Sequence, residues 1–100
     1  MSITDVKIAK DVVHDKLQSQ IKTAGAKLDT LKAQAETAKA NAEIKAIAEL
    51  LPKKLEMQRK LDELKKTHED RWEHAKADLE THVADFEKSV KGIESKIKAR

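Results

Sequence analysis

The chain reads as all-α, folded as an antiparallel two-helix coiled-coil hairpin. The first reason is composition: two glycines and one proline among 100 residues, with Ala, Lys, Glu, Leu and Asp prominent, favour long helices over sheets or flexible linkers. Secondly, two stretches of similar length flank Pro52, and each carries an apolar stripe at coiled-coil spacing. A third observation is bulk. With 39% charged residues, one Trp, one Phe and no Tyr, the chain has little side-chain volume for a globular core and is expected to be elongated.

The first helix is assigned to residues 4–50. Thr4 and Asp5 make a suitable start, because a hydroxyl can accept from free first-turn amides and an acid suits the positive end of the helix dipole. Its stripe runs Val6, Val13, Leu17, Ile21, Ala24, Leu28, Leu31, Ala35, Ala38 and Ala42, and from Leu17 the steps alternate four and three. A tight turn is placed near residues 50–53, since proline restricts the residue before it and is well tolerated in the first turn of a new helix. A kinked continuous helix through Pro52 is the alternative.

Residues 53–98 form the second helix, with the stripe Met57, Leu61, Leu64, His68, Trp72, Ala75, Leu79, Val83, Phe86, Val90, Ile93 and Ile97. Met57, His68, Leu79 and Val90 recur every eleven residues, a period that predicts a nearly straight helix. Each arm would measure roughly 70 Å at about 1.5 Å per residue. Thr67, followed by Glu69 and Asp70, resembles a helix start, which offers Lys66–Thr67 as another place for a break. Gly25, between Ala24 and Ala26, is a candidate for a kink or a close helix approach.

In a hairpin the stripes pair in reverse order: Val6 with Ile97, Val13 with Val90, Leu17 with Phe86, Ala24 with Leu79, Leu28 with Ala75, Leu31 with Trp72, Ala35 with His68, and Ala42 with Leu61. The expected core is Leu17, Ile21, Leu28, Leu31, Ala35, Leu61, Leu64, His68, Trp72, Leu79, Val83, Phe86 and Val90. A lone hairpin leaves apolar surface wet, so a homodimer forming a four-helix bundle, or a higher assembly, is expected. Ala33, Ala40, Ile44, Ile47 and Ala48 would supply its second contact surface.

The stretch from Leu28 to Glu36, the Ala-Lys-Ala-Asn-Ala-Glu-Ile run from Ala38 to Ile44, Leu61 to Lys65, and Trp72-Glu73 followed by Lys76-Ala77 and Leu79-Glu80 carry a resemblance. Over residues 17–90 the chain is similar to a family of small, uncharacterised bacterial coiled-coil proteins of this length. Their lysine- and alanine-rich first helix precedes a second helix with a Trp-Glu step. Where many members carry a second Trp, this chain has Val83 with Phe86 nearby. The resemblance implies a helical hairpin and brings no activity with it.

The chemistry readable from the sequence is sparse. His74, Asp78 and His82 are spaced to share one face of the second helix and are the best candidate for a metal site taking Zn, Cu or Ni, with His68 about two turns from His74 and Asp29 as an added ligand. The plainer reading is solvated polar side chains. His68 is expected as a neutral polar layer opposite Ala35, and Trp72 as a core anchor against Leu31 or, alternatively, an exposed partner hot spot. No phosphate loop, nucleophile with a base or concave carboxylate pair is present in the pattern, and a narrow hairpin offers no pocket, so neither enzyme activity nor a cofactor is expected.

Twenty-one bases against 18 acids give a net charge of +3, a mixed-sign surface. The pairs Lys53-Lys54, Arg59-Lys60 and Lys65-Lys66 are interleaved with acids and lack stacking aromatics, so no specific nucleic-acid binding is expected. Absent cysteine fits a reducing compartment. No signal core or membrane span is readable, and a cytoplasmic location is the expectation. The function expected is a non-enzymatic structural or interaction module that self-associates, with an unknown protein partner as a further option, through the alanine-rich side of the first helix or the basic ends. The alternatives are a lipid-surface-binding helix, suggested by the eleven-residue period and by Lys88, Lys91, Lys96, Lys98 and Arg100, and a stress-protective helical protein. The filled stripe from Leu17 to Phe86 favours packing in water over both.

Overall fold

A computed structural model describes the backbone of residues 3–99 and the side chains of residues 10–99. Three helices account for nearly all of it: α1 (Ile3–Thr37), α2 (Asn41–Lys66) and α3 (Glu69–Lys98). The described residues contain no strand. Each helix packs against both others, giving a rod of 54 × 17 × 15 Å. The all-α expectation holds, but the hairpin is replaced by a three-helix bundle.

Its topology follows from the contacts between helices. Lys10 pairs with Glu69 and Lys27 with Glu94, so α1 and α3 run in the same direction. Lys54 of α2 lies against Gly25, near the middle of α1, and Lys60 of α2 reaches Asp78 and His82 of α3. The order is therefore up, down, up. Parallel α1 and α3 cannot make the reverse-order pairs expected of a hairpin, from Val13 with Val90 through Leu31 with Trp72. The Val6 side chain lies outside the described residues.

The turn expected near residues 50–53 is absent, and α2 runs through Pro52. A proline inside a helix forfeits one hydrogen bond and costs about 3 kcal/mol. Two features offset that cost. Pro52 and Ala48, whose carbonyl loses its partner, are both exposed, which places the defect on the water side. The buried seam also continues across it: Ala40, Glu43, Ile47 and Leu50 precede Pro52, and Met57, Leu61 and Leu64 follow in unbroken heptad phase.

The first real turn is at residues 38–40. The Ala40 amide donates to Ala35 O at 2.9 Å and the Lys39 amide to Glu36 O at 3.2 Å, while Lys39 adopts φ 55°. This is the Schellman arrangement, which satisfies orphan carbonyls at a helix end through one left-handed residue. Ala35 and Ala40, the pair it brings together, are 0% and 1% exposed. Glycine is the usual residue at the left-handed position and lysine carries no such signature, which is why the sequence pattern runs straight through the turn.

The second turn is the Thr67–His68 link, both residues extended. Glu69 and Asp70 then open α3 at the favourable end of its dipole. The weaker signal at Lys66–Thr67 thus marks the true break. The eleven-residue period spans two helices and belongs to neither. Within α3 the buried and half-buried apolar positions are Trp72, Ala75, Leu79, Val83, Phe86, Val90, Ile93 and Ile97, heptad steps with one insertion of four between Ala75 and Val83.

One contiguous core forms from the three seams. Of the expected core residues, Leu17, Ile21, Leu28, Leu31, Ala35, Leu61, Leu64, Trp72, Leu79, Val83, Phe86 and Val90 are buried. His68 is not: it sits exposed at the N-cap of α3. Ala42 and Ala38 are also exposed, because α1 ends before them. His14 takes the heptad position preceding Leu17 and is buried, whereas Val13 is half-buried. Gly25 serves close approach rather than a kink. A Cβ there would lie 2.7 Å from Lys54 Cε, so the missing side chain leaves room for the aliphatic stem of a lysine at a seam position.

Candidate functional site

The expected metal trio lies on the outer side of α3, and the structure does not gather it into a ligand set. Among the described residues no group of three His, Cys, Asp or Glu side chains converges to hold a metal ion. What forms instead is a bridge between helices. Lys60 Nζ, projecting from α2, lies 2.9 Å from Asp78 Oδ2 and 3.1 Å from His82 Nε2, and His82 Nε2 lies 3.6 Å from Asp78 Oδ1. A protonated lysine can only donate, so Nε2 is the acceptor and the imidazole proton sits on Nδ1. The site already holds a cation, its own ammonium. Lys60 donating to Asp78 holds that carboxyl below its usual range against the opposing effect of burial, and the charge of Lys60 adds to the lowering. His74 stays exposed outside these bonds, and Asp29 is exposed on α1.

A matching bridge ties α1 to α3. Lys27 Nζ is 2.9 Å from Glu94 Oε2, and Lys98 approaches the other carboxylate oxygen at 3.5 Å. The hydrogen bond from Lys27 is the main reason that the Glu94 carboxyl sits below its ordinary range. At the Thr67–His68 end, Trp72 is 7% exposed, with Lys10 Nζ and Lys76 Nζ 5.6 and 5.7 Å from its ring centroid. This is a core anchor roofed by two cations, not an exposed hot spot. His14 Nε2 is buried with no hydrogen-bond partner, and Nδ1 stands 3.6 Å from Asp15.

Of the basic pairs expected as a solvated face, Lys53, Lys65 and Lys66 are exposed, whereas the other three residues are engaged within the molecule. Lys54 lies over Gly25, Arg59 is bonded to Glu56 at 2.6 Å and to Glu63, and Lys60 bridges to α3. Glu56 is held below its usual range by Arg59. The helix pair does offer a shallow groove, contrary to the expectation of none. It lies between α2 and α3, with Leu50, Met57 and Phe86 in its floor and Lys53, Glu56 and Asp85 on its rim.

The second contact surface expected from Ala33, Ala40, Ile44, Ile47 and Ala48 does not exist as one face. Ala40 and Ile47 are core and Ile44 packs against it, while Ala33 and Ala48 face water. The outward side of α1 presents a different strip: Ser19, Thr23, Ala26, Thr30, Ala33 and Thr37, all exposed, uncharged and spaced four and three. Thr30 Oγ1 donates to Ala26 O at 3.2 Å and Thr37 Oγ1 to Ala33 O at 3.0 Å. Those hydroxyl protons are therefore engaged by the helix itself. The heptad spacing of this strip is visible in the sequence once the opposite seam has been assigned to the core.

None of the described helices is long and apolar enough to cross a membrane. In comparisons with known proteins, no family model, no curated protein and no solved structure matches the chain.

Proposed function

We propose that the chain is a non-enzymatic structural or protein-interaction module that self-associates through the outward strip of α1. The observation carrying this reading is the strip itself: six successive outward positions without a charge, in a chain of which 39% is charged. Small side chains at heptad spacing let two helices approach closely, and a uniform lack of charge lowers the desolvation cost of doing so. The four-helix bundle expected of two hairpins is not available to three-helix subunits, so the association is helix against helix between closed bundles. Sedimentation over a concentration series tests it. The wild-type chain should associate, and Ala26→Glu with Ala33→Glu should leave a monomer with unchanged helix content; a wild type that stays monomeric at millimolar concentration would end the proposal.

A further inference from the structure

The two-residue link between α2 and α3 carries a consequence for assembly that does not depend on the α1 strip. We infer that α3 exchanges between two copies of the chain: the link straightens, residues 41–98 become one helix, and each α3 docks in the groove between α1 and α2 of the other copy.

Four observations support this. Thr67 has φ −77° and ψ 135°, and His68 has φ −63° and ψ 151°. Both φ values already suit a right-handed helix, so rotation about ψ alone removes the bend. Neither residue is Gly, Pro or Asn, so no local backbone demand enforces the break. Capping is also weak. His68 makes no side-chain cap hydrogen bond to α3, and Thr67 Oγ1 is turned back onto Glu63 O at 2.8 Å. Straightening the link would give the first amides of α3 the intrahelical acceptors they lack.

The third observation is phase. Leu61 and Leu64 on one side and Trp72, Ala75 and Leu79 on the other are buried or half-buried, and His68 lies between them at helical spacing. A straight helix keeps these positions on one stripe, the property that makes the sequence read as a single long arm. Fourth, α1 and α3 are parallel, with Lys10 level with Glu69, so the α3 slot of each bundle opens at the same end as the link. Two copies facing each other across a twofold axis can therefore fill both slots with the contacts already present in one bundle. The straight helix would span about 90 Å at about 1.5 Å per residue.

The experiment uses the absence of native cysteine. In a Lys60→Cys, Asp78→Cys chain the two thiols replace groups 2.9 Å apart across α2 and α3, and a short bis-maleimide links them. The protein is equilibrated at high concentration near its melting temperature, cooled, separated by size and crosslinked. Exchange predicts that the dimer fraction gives covalent dimers on a denaturing gel and the monomer fraction gives internal links only. His68→Pro should abolish that dimer while leaving the monomer folded. Its ring suits φ −63°, Thr67 before it is already extended, and the His68 amide has no backbone acceptor among the described residues. Thr67→Ala with His68→Ala should raise the dimerisation constant roughly fiftyfold through helix propensity at two residues in each of the two links. A dimer fraction with internal links only, or no dimer in the double-alanine chain, overturns the inference. Dimers abolished by Ala26→Glu with Ala33→Glu but untouched by His68→Pro would support the α1 strip and exclude exchange.

Discussion

The two turns of this bundle are built on different principles. At residues 38–40 the bend is local: a left-handed Lys39 and two defined backbone hydrogen bonds close α1 whatever α3 does. At Thr67–His68 nothing local demands a bend; both residues have ordinary φ values, and α3 starts without a side-chain cap. The first turn is held by backbone geometry, the second by the burial of α3 against the other helices. The reversal between α1 and α2 is therefore encoded in the backbone of its own turn, and that between α2 and α3 in the packing of the third helix.

The largest effect should come from loosening what holds the second turn. Phe86 is 2% exposed on α3, and Phe86→Ala should cost about 3–5 kcal/mol in urea unfolding. A loss below about 1 kcal/mol would mean that α3 is not docked as described. Next comes a sign test, the same substitution at both turns. Lys39→Gly should stabilise by about 1 kcal/mol by relieving a left-handed lysine, whereas Thr67→Gly should destabilise by about 0.5–1 kcal/mol, since φ −77° needs no glycine. Equal signs in thermal melts would erase the contrast between the turns.

His14 offers a test of similar size at the Thr67–His68 end. Its Nε2 is buried without a partner at a seam position, so His14→Leu should stabilise by about 1 kcal/mol. Glycines allow a finer comparison between helices. A Cβ on Gly92 meets nothing within 4 Å, whereas one on Gly25 meets Lys54 at 2.7 Å. Gly92→Ala should therefore gain about 0.5–1 kcal/mol, and Gly25→Ala less, as the lysine tail must move.

The smallest effect is acid dependence. Asp78 and Glu94 are held below their ordinary range by Lys60 and Lys27. A carboxyl lowered in the folded state adds stability that is present above its unfolded value, about pH 4, and is lost as pH falls through the folded value. Both groups are solvent-accessible, so the melting temperature should fall only slightly more below about pH 4 than in an Asp78→Asn, Glu94→Gln chain, and the difference should shrink with salt.

Much of the core is legible in the sequence, because heptad spacing reports which residues face inward whichever helix they face. Leu17 through Ala35 and Leu79 through Val90 are buried as the stripes require. Connectivity is harder to read. Pro52 carries a strong local signal that the continuous seam from Ile47 to Met57 overrides, and Lys39 makes a turn usually marked by glycine. The eleven-residue period arises where two helices meet across an uncapped link, so a pattern of one long helix conceals the break. The spacing of His74, Asp78 and His82 places them correctly on a helix face, but spacing within one helix is blind to Lys60 arriving from another.

The most direct test of the three-helix arrangement is a distance between spin labels on Lys32→Cys and Lys96→Cys in dilute protein. Parallel α1 and α3, with Lys27 level with Glu94, predict labels within about 20 Å, since packed helices lie about 10 Å apart. A two-helix hairpin bent at Pro52 would separate the same labels by roughly 40 Å along its axis, at about 1.5 Å per residue. A distance near that longer value would contradict the bundle.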